Sequence, residues 1–288
     1  MEIKKVGIIG CGQMGRGIAE VSARSGYPTL ISDISQEIVD KGLETVSRSV
    51  GVAAKRGKMS EEEKDAALAN LKGTLNMEDF ADCDIMIEAA IENMEEKKRI
   101  FAKLDKICPP HAILATNTSC LSVTDIAAAT KRMPQVVGMH FFNPVPVMQL
   151  VEVVRTIVSS DQSVDTAKAF AESLGKTVVL AKDTPGFVVN RLLMPYLLEA
   201  IRMYESGIAT KEAIDQGMVL GANHPMGPLT LLDYIGLDTV LFIAEAMQKE
   251  LGDPTIAPPT IIKKMVAAGH LGRKSGKGFY NYTKQARF

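Results

Sequence analysis

The sequence predicts an α/β domain built on a doubly wound, mainly parallel sheet, followed by an all-helical domain. Three observations carry this prediction. Short apolar runs alternate with helical patterns between residues 6 and 180, and a glycine-rich turn joins the first run to the first helical pattern. From Phe187 onward, long amphipathic runs dominate, with no strand pattern of any length until the extreme C-terminus. Asp183-Thr184-Pro185-Gly186 breaks the alternation, so residues 1–184 read as the first domain and 185–288 as the second. A chain of 288 residues exceeds one typical core.

Composition excludes several classes of function. The 33 Lys and Arg nearly balance 34 Asp and Glu, for a formal net charge of -1, so no global basic field points to nucleic acid. Cys11, Cys83, Cys108 and Cys120 are scattered without metal-ligand spacing, which suits a reduced, cytoplasmic protein. No apolar run reaches the ~18 residues a membrane span needs. The N-terminus runs straight into a strand, although a mitochondrial form stripped of its transit peptide would look the same.

The first strand, Val6–Ile9, passes directly into Gly10-Cys11-Gly12-Gln13-Met14-Gly15 and then into a helix. This is the Rossmann-type strand, G-x-G-x-x-G, helix arrangement, whose glycines allow the turn and the close approach of a pyrophosphate to the helix N-terminus. A second strand, Thr29–Ser32, ends at Asp33, where an acid accepts hydrogen bonds from adenosine ribose hydroxyls. Ile34 and Ser35 follow, so no Arg awaits a 2′-phosphate, and NAD is favoured over NADP.

A helical hairpin is inserted next. Its first helix covers residues 37–57 and its second, opened by a Ser60/Glu63 capping box, covers 60–71. The tip carries Lys55, Arg56 and Lys58, which form either a solvated turn or a phosphate-binding arm. The alternation resumes with a strand at 84–89, a helix at 95–106 and a strand at 112–117. Glu92, Lys97 and Ser119 fall beyond the carboxyl ends of these strands, where open α/β sheets bind ligands.

Residues 138–156, GMHFFNPVPVMQLVEVVRT, read as two strands folded back on Pro144 and Pro146, with His140 in one and Glu152 in the other. A carboxylate beside an imidazole orients the ring and favours its protonated form, which makes a general acid/base. The other histidines lie in loops or near a helix end: His111 after a Pro-Pro pair, His224 before Pro225, His270 beside Gly269. None has an obvious carboxylate on a neighbouring strand. A helix at 164–174 and a strand at 177–180 complete the first domain, and helices at 188–204, 211–220, 239–251 and 260–268 make the second. Asn190 lies on the first turn of the first of these.

Taken together, GCGQMG, IEAAIENMEEKK, TNTSCLS, GMHFFNPVPVMQLVEVV, DTPGFVVNRLL, GANHPMGPLTLLDYIGLD and GRKSGKGFYNY cover essentially the whole chain. In these blocks the sequence resembles the short-chain L-3-hydroxyacyl-CoA dehydrogenases, and most of all the bacterial 3-hydroxybutyryl-CoA dehydrogenases. The resemblance implies that His140 is the acid/base, Glu152 its partner, and Ser119 and Asn190 contacts to substrate and nicotinamide. It implies NAD held by the glycine loop (Gly10, Gly12, Gln13, Met14, Gly15) and by Asp33, Glu92, Lys97, Ser119, Asn143 and Lys274. Arg56 and Ser49 are the approximate counterparts of residues that contact coenzyme A.

The expected reaction is reversible hydride transfer between C3 of a 3-hydroxyacyl-CoA and NAD(H), with acetoacetyl-CoA and 3-hydroxybutyryl-CoA as the substrate pair, in fatty-acid or butyrate metabolism. A dehydrogenase of free β-hydroxy acids and a non-enzymatic NAD-binding structural protein are the alternatives. Against the second, a structural protein has no chemical need for an acid/base dyad. The apolar faces of the C-terminal helices, together with the resemblance, point to a homodimer through that domain.

Overall fold

The computed structural model describes residues 1–282. The chain divides into two compact units, Met1–Thr184 and Pro185–Phe288. In the first, the elements run β1 (Val6–Ile9), α1 (Gln13–Arg24), β2 (Thr29–Ser32), α2 (Gln36–Lys55), α3 (Glu61–Ala69), β3 (Leu71–Thr74), β4 (Ile85–Glu88), α4 (Met94–Ile107), β5 (Ile113–Thr116), α5 (Val123–Ala127), β6 (Val136–Phe141), β7 (Leu150–Arg155), α6 (Asp161–Ser173) and β8 (Thr177–Lys182). The eight strands form one sheet in the order β3-β2-β1-β4-β5-β6-β7-β8.

Strands β1 to β6 are mutually parallel, β7 is antiparallel to β6, and β8 is parallel to β7. The reversal follows from chain length. The short 142–149 connection leaves no room for the crossover that a parallel pair requires, so the chain folds back as a hairpin. Strands β1, β4, β5 and β6 are buried along their whole length, which is why they read as continuous apolar runs rather than as alternation. Their side chains pack with Ile18 and Val21 of α1 and with Val164 and Phe170 of α6 in one contiguous core.

The inserted hairpin is α2 and α3. Ser60 Oγ accepts from Glu63 N at 3.1 Å while Glu63 Oε2 accepts from Ser60 N at 2.7 Å, the reciprocal cap expected from the sequence. Two elements differ from the sequence reading. The second hairpin helix stops at Ala69, and Leu71–Thr74 joins the sheet edge as β3 beside β2. Glycine makes this possible: a Cβ on Gly73 would lie 2.3 Å from Val39 Cγ1, so only a bare backbone approaches α2 this closely. The short α5 was also not anticipated. Ser122 caps it, accepting from Asp125 N, and Asp183 accepts from Val123 N, Thr124 N and Thr124 Oγ1 at 3.1, 2.6 and 2.6 Å.

The second unit holds α7 (Val189–Glu205), α8 (Lys211–Gly221), α9 (Pro228–Ile235), α10 (Leu237–Leu251) and α11 (Thr260–Ala267). In this unit the sequence reading missed helix α9. Gly236, at φ +103°, alone separates it from α10, so their apolar patterns merge. Two buried aspartates bind the C-terminal segment into this unit. Asp233 accepts from Phe279 N, Tyr280 N and Tyr282 Oη, and Asp215 accepts from Leu229 N, Thr230 N and Tyr280 Oη.

All four cysteines are buried and unpaired. Burial pushes the thiols of Cys11, Cys83 and Cys120 up to about 12 and that of Cys108 to about 11. At pH 8 the folded protein should therefore react with a disulfide reagent at least about tenfold more slowly than the denatured chain, because the thiolate is the nucleophile. Rapid native reaction of any of the four would contradict this packing.

Candidate active site

The β6–β7 register sets His140 directly opposite Glu152. Opposed residues of an antiparallel pair share one face of the sheet, and here Nδ1 of His140 lies 2.7 Å from Oε2 of Glu152. The imidazole is 7 % exposed and the carboxylate fully buried. With Glu152 ionised, Nδ1–H donates this bond, which fixes the tautomer and makes Nε2 the basic nitrogen of the neutral ring. The ring of Phe142 lies 4.5 Å from that of His140, centroid to centroid.

The turn between the two strands is held from below. Lys176, buried immediately before β8, donates to Val145 O at 2.6 Å and Met148 O at 2.8 Å. Burial, followed by repulsion from Arg24, pulls its ammonium below the usual lysine range. The Asn143–Pro144 peptide in this turn is cis, and Asn143 itself is exposed. Asn143 and Gln13 line a groove of about 220 Å³ together with Ser49, Arg16 and Glu20. Burial raises the Glu20 carboxyl, while Ser49 and Arg24 oppose that shift. Arg56 stands apart from this group, exposed at the C-terminal end of α2. The structure thus unites Ser49 with two of the expected cofactor residues, but not with Arg56.

The glycine loop has the shape a dinucleotide needs. Gly10 takes φ +108°, and a Cβ there would sit 2.5 Å from Ala89 O. Above Gly12 an added Cβ would meet nothing within 4 Å, so the approach is open. Helix α1 starts with no side-chain cap and no acid in its first turn, leaving its amide groups and positive dipole end for an anion. Asp33 Oδ2 accepts from Cys11 N at 2.6 Å and Oδ1 from Ile34 N at 2.7 Å, which holds the carboxylate beside the loop. These residues fit NAD: backbone amides for the pyrophosphate, a carboxylate for the ribose, and no basic side chain at positions 34 and 35.

Glu92, Lys97 and Ser119 lie together, beside three residues that sequence reading did not single out. Glu92 Oε1 accepts from Ser119 N at 2.8 Å, Ser119 Oγ at 3.3 Å and Thr118 Oγ1, and its Oε2 lies 3.2 Å from Lys97 Nζ. Lys97 is only 1 % exposed, because its ammonium also binds both oxygens of the fully buried Glu88. Thr116 Oγ1 donates to Glu88 Oε2. The signal for Glu88 was available: an acid at the end of an otherwise apolar strand. Asn117 was missed as well, and its side chain accepts from Phe141 N at 2.9 Å, bracing β5 against β6.

In the helical unit, Asn190 is 8 % exposed on the first turn of α7, and Lys274 pairs with Asp238 at 2.6 Å. Contrary to the sequence expectation, His111 has a carboxylate beside it, Asp84, with Nε2 and Oδ1 3.0 Å apart. Asp84 lies just before β4, at the amino ends of the strands, and it also accepts from Lys4 N and Lys5 N. His111 is half exposed there, at the opposite end of the sheet from the glycine loop.

Residues 5–184 match the 3-hydroxyacyl-CoA dehydrogenase NAD-binding domain, and residues 186–282 match the C-terminal domain of the same family. The chain belongs to the 3-hydroxyacyl-CoA dehydrogenase family. It is similar to a Clostridioides difficile 3-hydroxybutyryl-CoA dehydrogenase, 45 % identical over 97 % of this chain and all of that one. Among solved structures it is similar to Mycobacterium tuberculosis FadB2, with a TM-score of 0.96 and 47 % identity, covering 98 % of this chain and all of the other. The Ralstonia eutropha (S)-3-hydroxybutyryl-CoA dehydrogenase superposes with a TM-score of 0.94 at 46 % identity, with the same coverage. As a member of this family the chain is an NAD-dependent oxidoreductase acting on a CH–OH group.

If Asp33 is the ribose acceptor, replacing it with Ala should raise KM for NADH about tenfold and narrow the preference for NADH over NADPH, the loss of one hydrogen bond to a charged group. The ratio of kcat/KM values for the two nucleotides checks this. An unchanged ratio would remove Asp33 from the ribose site.

Proposed function

We propose that this enzyme interconverts 3-hydroxybutyryl-CoA and acetoacetyl-CoA, with His140 as acid/base and Glu152 as its partner. The observation that carries the assignment is the 2.7 Å bond between the two buried side chains on facing strands. NAD, which the glycine loop would hold, would supply the hydride acceptor, and NADH the donor in the reverse direction. For oxidation of the alcohol, Nε2 of His140 takes the hydroxyl proton; for reduction, the imidazolium returns it to the carbonyl oxygen. Glu152 keeps Nδ1 protonated and stabilises the charged ring while it holds that proton.

Ser119 and Asn190 are proposed to hydrogen-bond the substrate oxygens, which orients C3 and favours the polarised state. Glu92, Asn143 and Lys274 are proposed to hold the nicotinamide half of the cofactor. Lys97 is proposed to act beside them by fixing Glu92. Ser49, in the groove with Asn143, and Arg56, at the exposed end of α2, are proposed to meet the coenzyme A portion. The relatives named for 3-hydroxybutyryl-CoA over nearly their full length support this substrate over a free β-hydroxy acid.

His140→Gln should lower turnover of acetoacetyl-CoA with NADH by about 10²–10⁴-fold while NADH still binds, the loss expected for a general acid/base. Parent-like turnover would overturn the assignment. A cytoplasmic location is proposed on the four buried, reduced thiols.

For the helical unit we propose homodimerisation, because Leu192, Ile208 and Leu220 are each at least 70 % exposed and Phe242 is 42 % exposed. Light scattering at micromolar concentration should give twice the chain mass, and Leu192→Asp should shift it toward the monomer. A monomeric parent would overturn the proposal.

A further inference from the structure

The end of β4 carries a titratable group that the reaction itself does not use. Glu88 is fully buried, so it touches neither substrate nor cofactor. Its carboxylate is nonetheless saturated: Oε1 accepts from Ala90 N at 2.7 Å and Lys97 Nζ at 2.7 Å, and Oε2 accepts from Lys97 Nζ at 2.9 Å and Thr116 Oγ1 at 2.7 Å. A carboxylate has about four such acceptor directions, and all are taken. The group is therefore held by the backbone after β4, by the last residue of β5 and by a lysine from the first turns of α4.

Lys97 leads from this fixed point to the site. Its third contact is Glu92 Oε2 at 3.2 Å, and Glu92 Oε1 in turn receives the Ser119 amide at 2.8 Å. Glu92 is the first member of the chain to reach solvent, with its side chain 23 % exposed. Without Glu88, one partly exposed carboxylate would have to balance the buried ammonium alone. It would do so by turning toward it and away from the Ser119 loop.

Because leaving one buried charge unpaired costs far more than the pair is worth, Lys97 moves with whichever carboxylate remains. From this geometry we infer that Glu88 is a positioning residue of the nucleotide site: through Lys97 it sets the place of Glu92 and of the Ser119 loop. The inference rests on the reading that Glu92 and Ser119 face the cofactor.

A purely structural ion pair would also cost stability when broken, so the test must read coupling and not loss alone. The experiment is a double-mutant cycle on the full chain with Glu88→Gln and Glu92→Gln. Its readout is the NADH dissociation constant, measured by NADH fluorescence without acyl substrate. Each single variant should weaken NADH about tenfold, the order of one lost hydrogen bond to a charged group. If Glu88 acts through Glu92, the double variant should be no more than about twofold worse than Glu92→Gln alone. NADH binding unchanged in Glu88→Gln overturns the inference, as does a double loss equal to the product of the two single losses.

Should Glu88→Gln fail to fold, Thr116→Val replaces it in the same cycle. That change removes no charge but two hydrogen bonds, the short one to Glu88 Oε2 at 2.7 Å and a longer one from Thr118 N at 3.3 Å, so a loss of about threefold is expected, again absent in the Glu92→Gln background. A full Thr116→Val loss in that background counts against the inference. The dehydrogenase reading is tested separately, by turnover of acetoacetyl-CoA in the parent protein, so its failure would not be mistaken for failure of the cycle.

Discussion

The proposed acid/base chemistry depends on one cross-strand pairing. His140 and Glu152 meet because β7 runs back along β6 in a register that sets the two residues opposite each other. Side chains alternate between faces along a strand, so slipping β7 by one residue would carry the carboxylate to the other side of the sheet and bring a valine to the histidine. The turn at 142–149 therefore contributes more than a connection. Its backbone carbonyls at Val145 and Met148 are tied to the Lys176 ammonium, and β8 adds a further paired strand on the far side of β7. The His140–Glu152 pair is a property of the sheet's far half, supported by a buried lysine that ties down the turn between its strands.

The near half contributes the nucleotide site by a different principle. The strand order reverses its direction of growth between β1 and β4, and the loops leaving β1, β4 and β5 all emerge on that carboxyl side. Each loop solves a separate problem. The one after β1 offers backbone amides and an open approach; the one after β4 carries Glu92; the one after β5 carries Ser119, whose amide binds Glu92. What joins the last two are hydrogen bonds from Thr116, Thr118 and Ser119 to Glu88 and Glu92, the two carboxylates held on either side of the buried Lys97 ammonium, an expensive device in energetic terms.

Most of this was legible in the sequence, for identifiable reasons. Alternation of apolar runs, the position of Asp33 after β2 and the paired ionisable residues in 138–156 are local patterns, and local patterns survive without coordinates. Elements that depend on distant partners did not. Strand β3 is half exposed and polar, and only its pairing with β2 marks it as a strand. Helix α5 is five residues long and takes part of its cap from Asp183, sixty positions away in the chain. Glu88 and Lys97 lie nine residues apart, yet their burial follows from β1 and β5 flanking β4, which no spacing reveals.

Asp183 has a further consequence for where the first unit ends. The sheet stops at Lys182, so by strand boundaries the nucleotide-binding portion could be cut there. Energetically it could not. The next residue is the acceptor for two backbone amides and one hydroxyl at the start of α5, and α5 follows directly from the loop that carries Ser119. An excised N-terminal half lacking that single carboxylate would keep every strand but leave those donors unsatisfied. The edge of the folding unit is thus defined by a side chain that reaches back into it, one residue past its last strand.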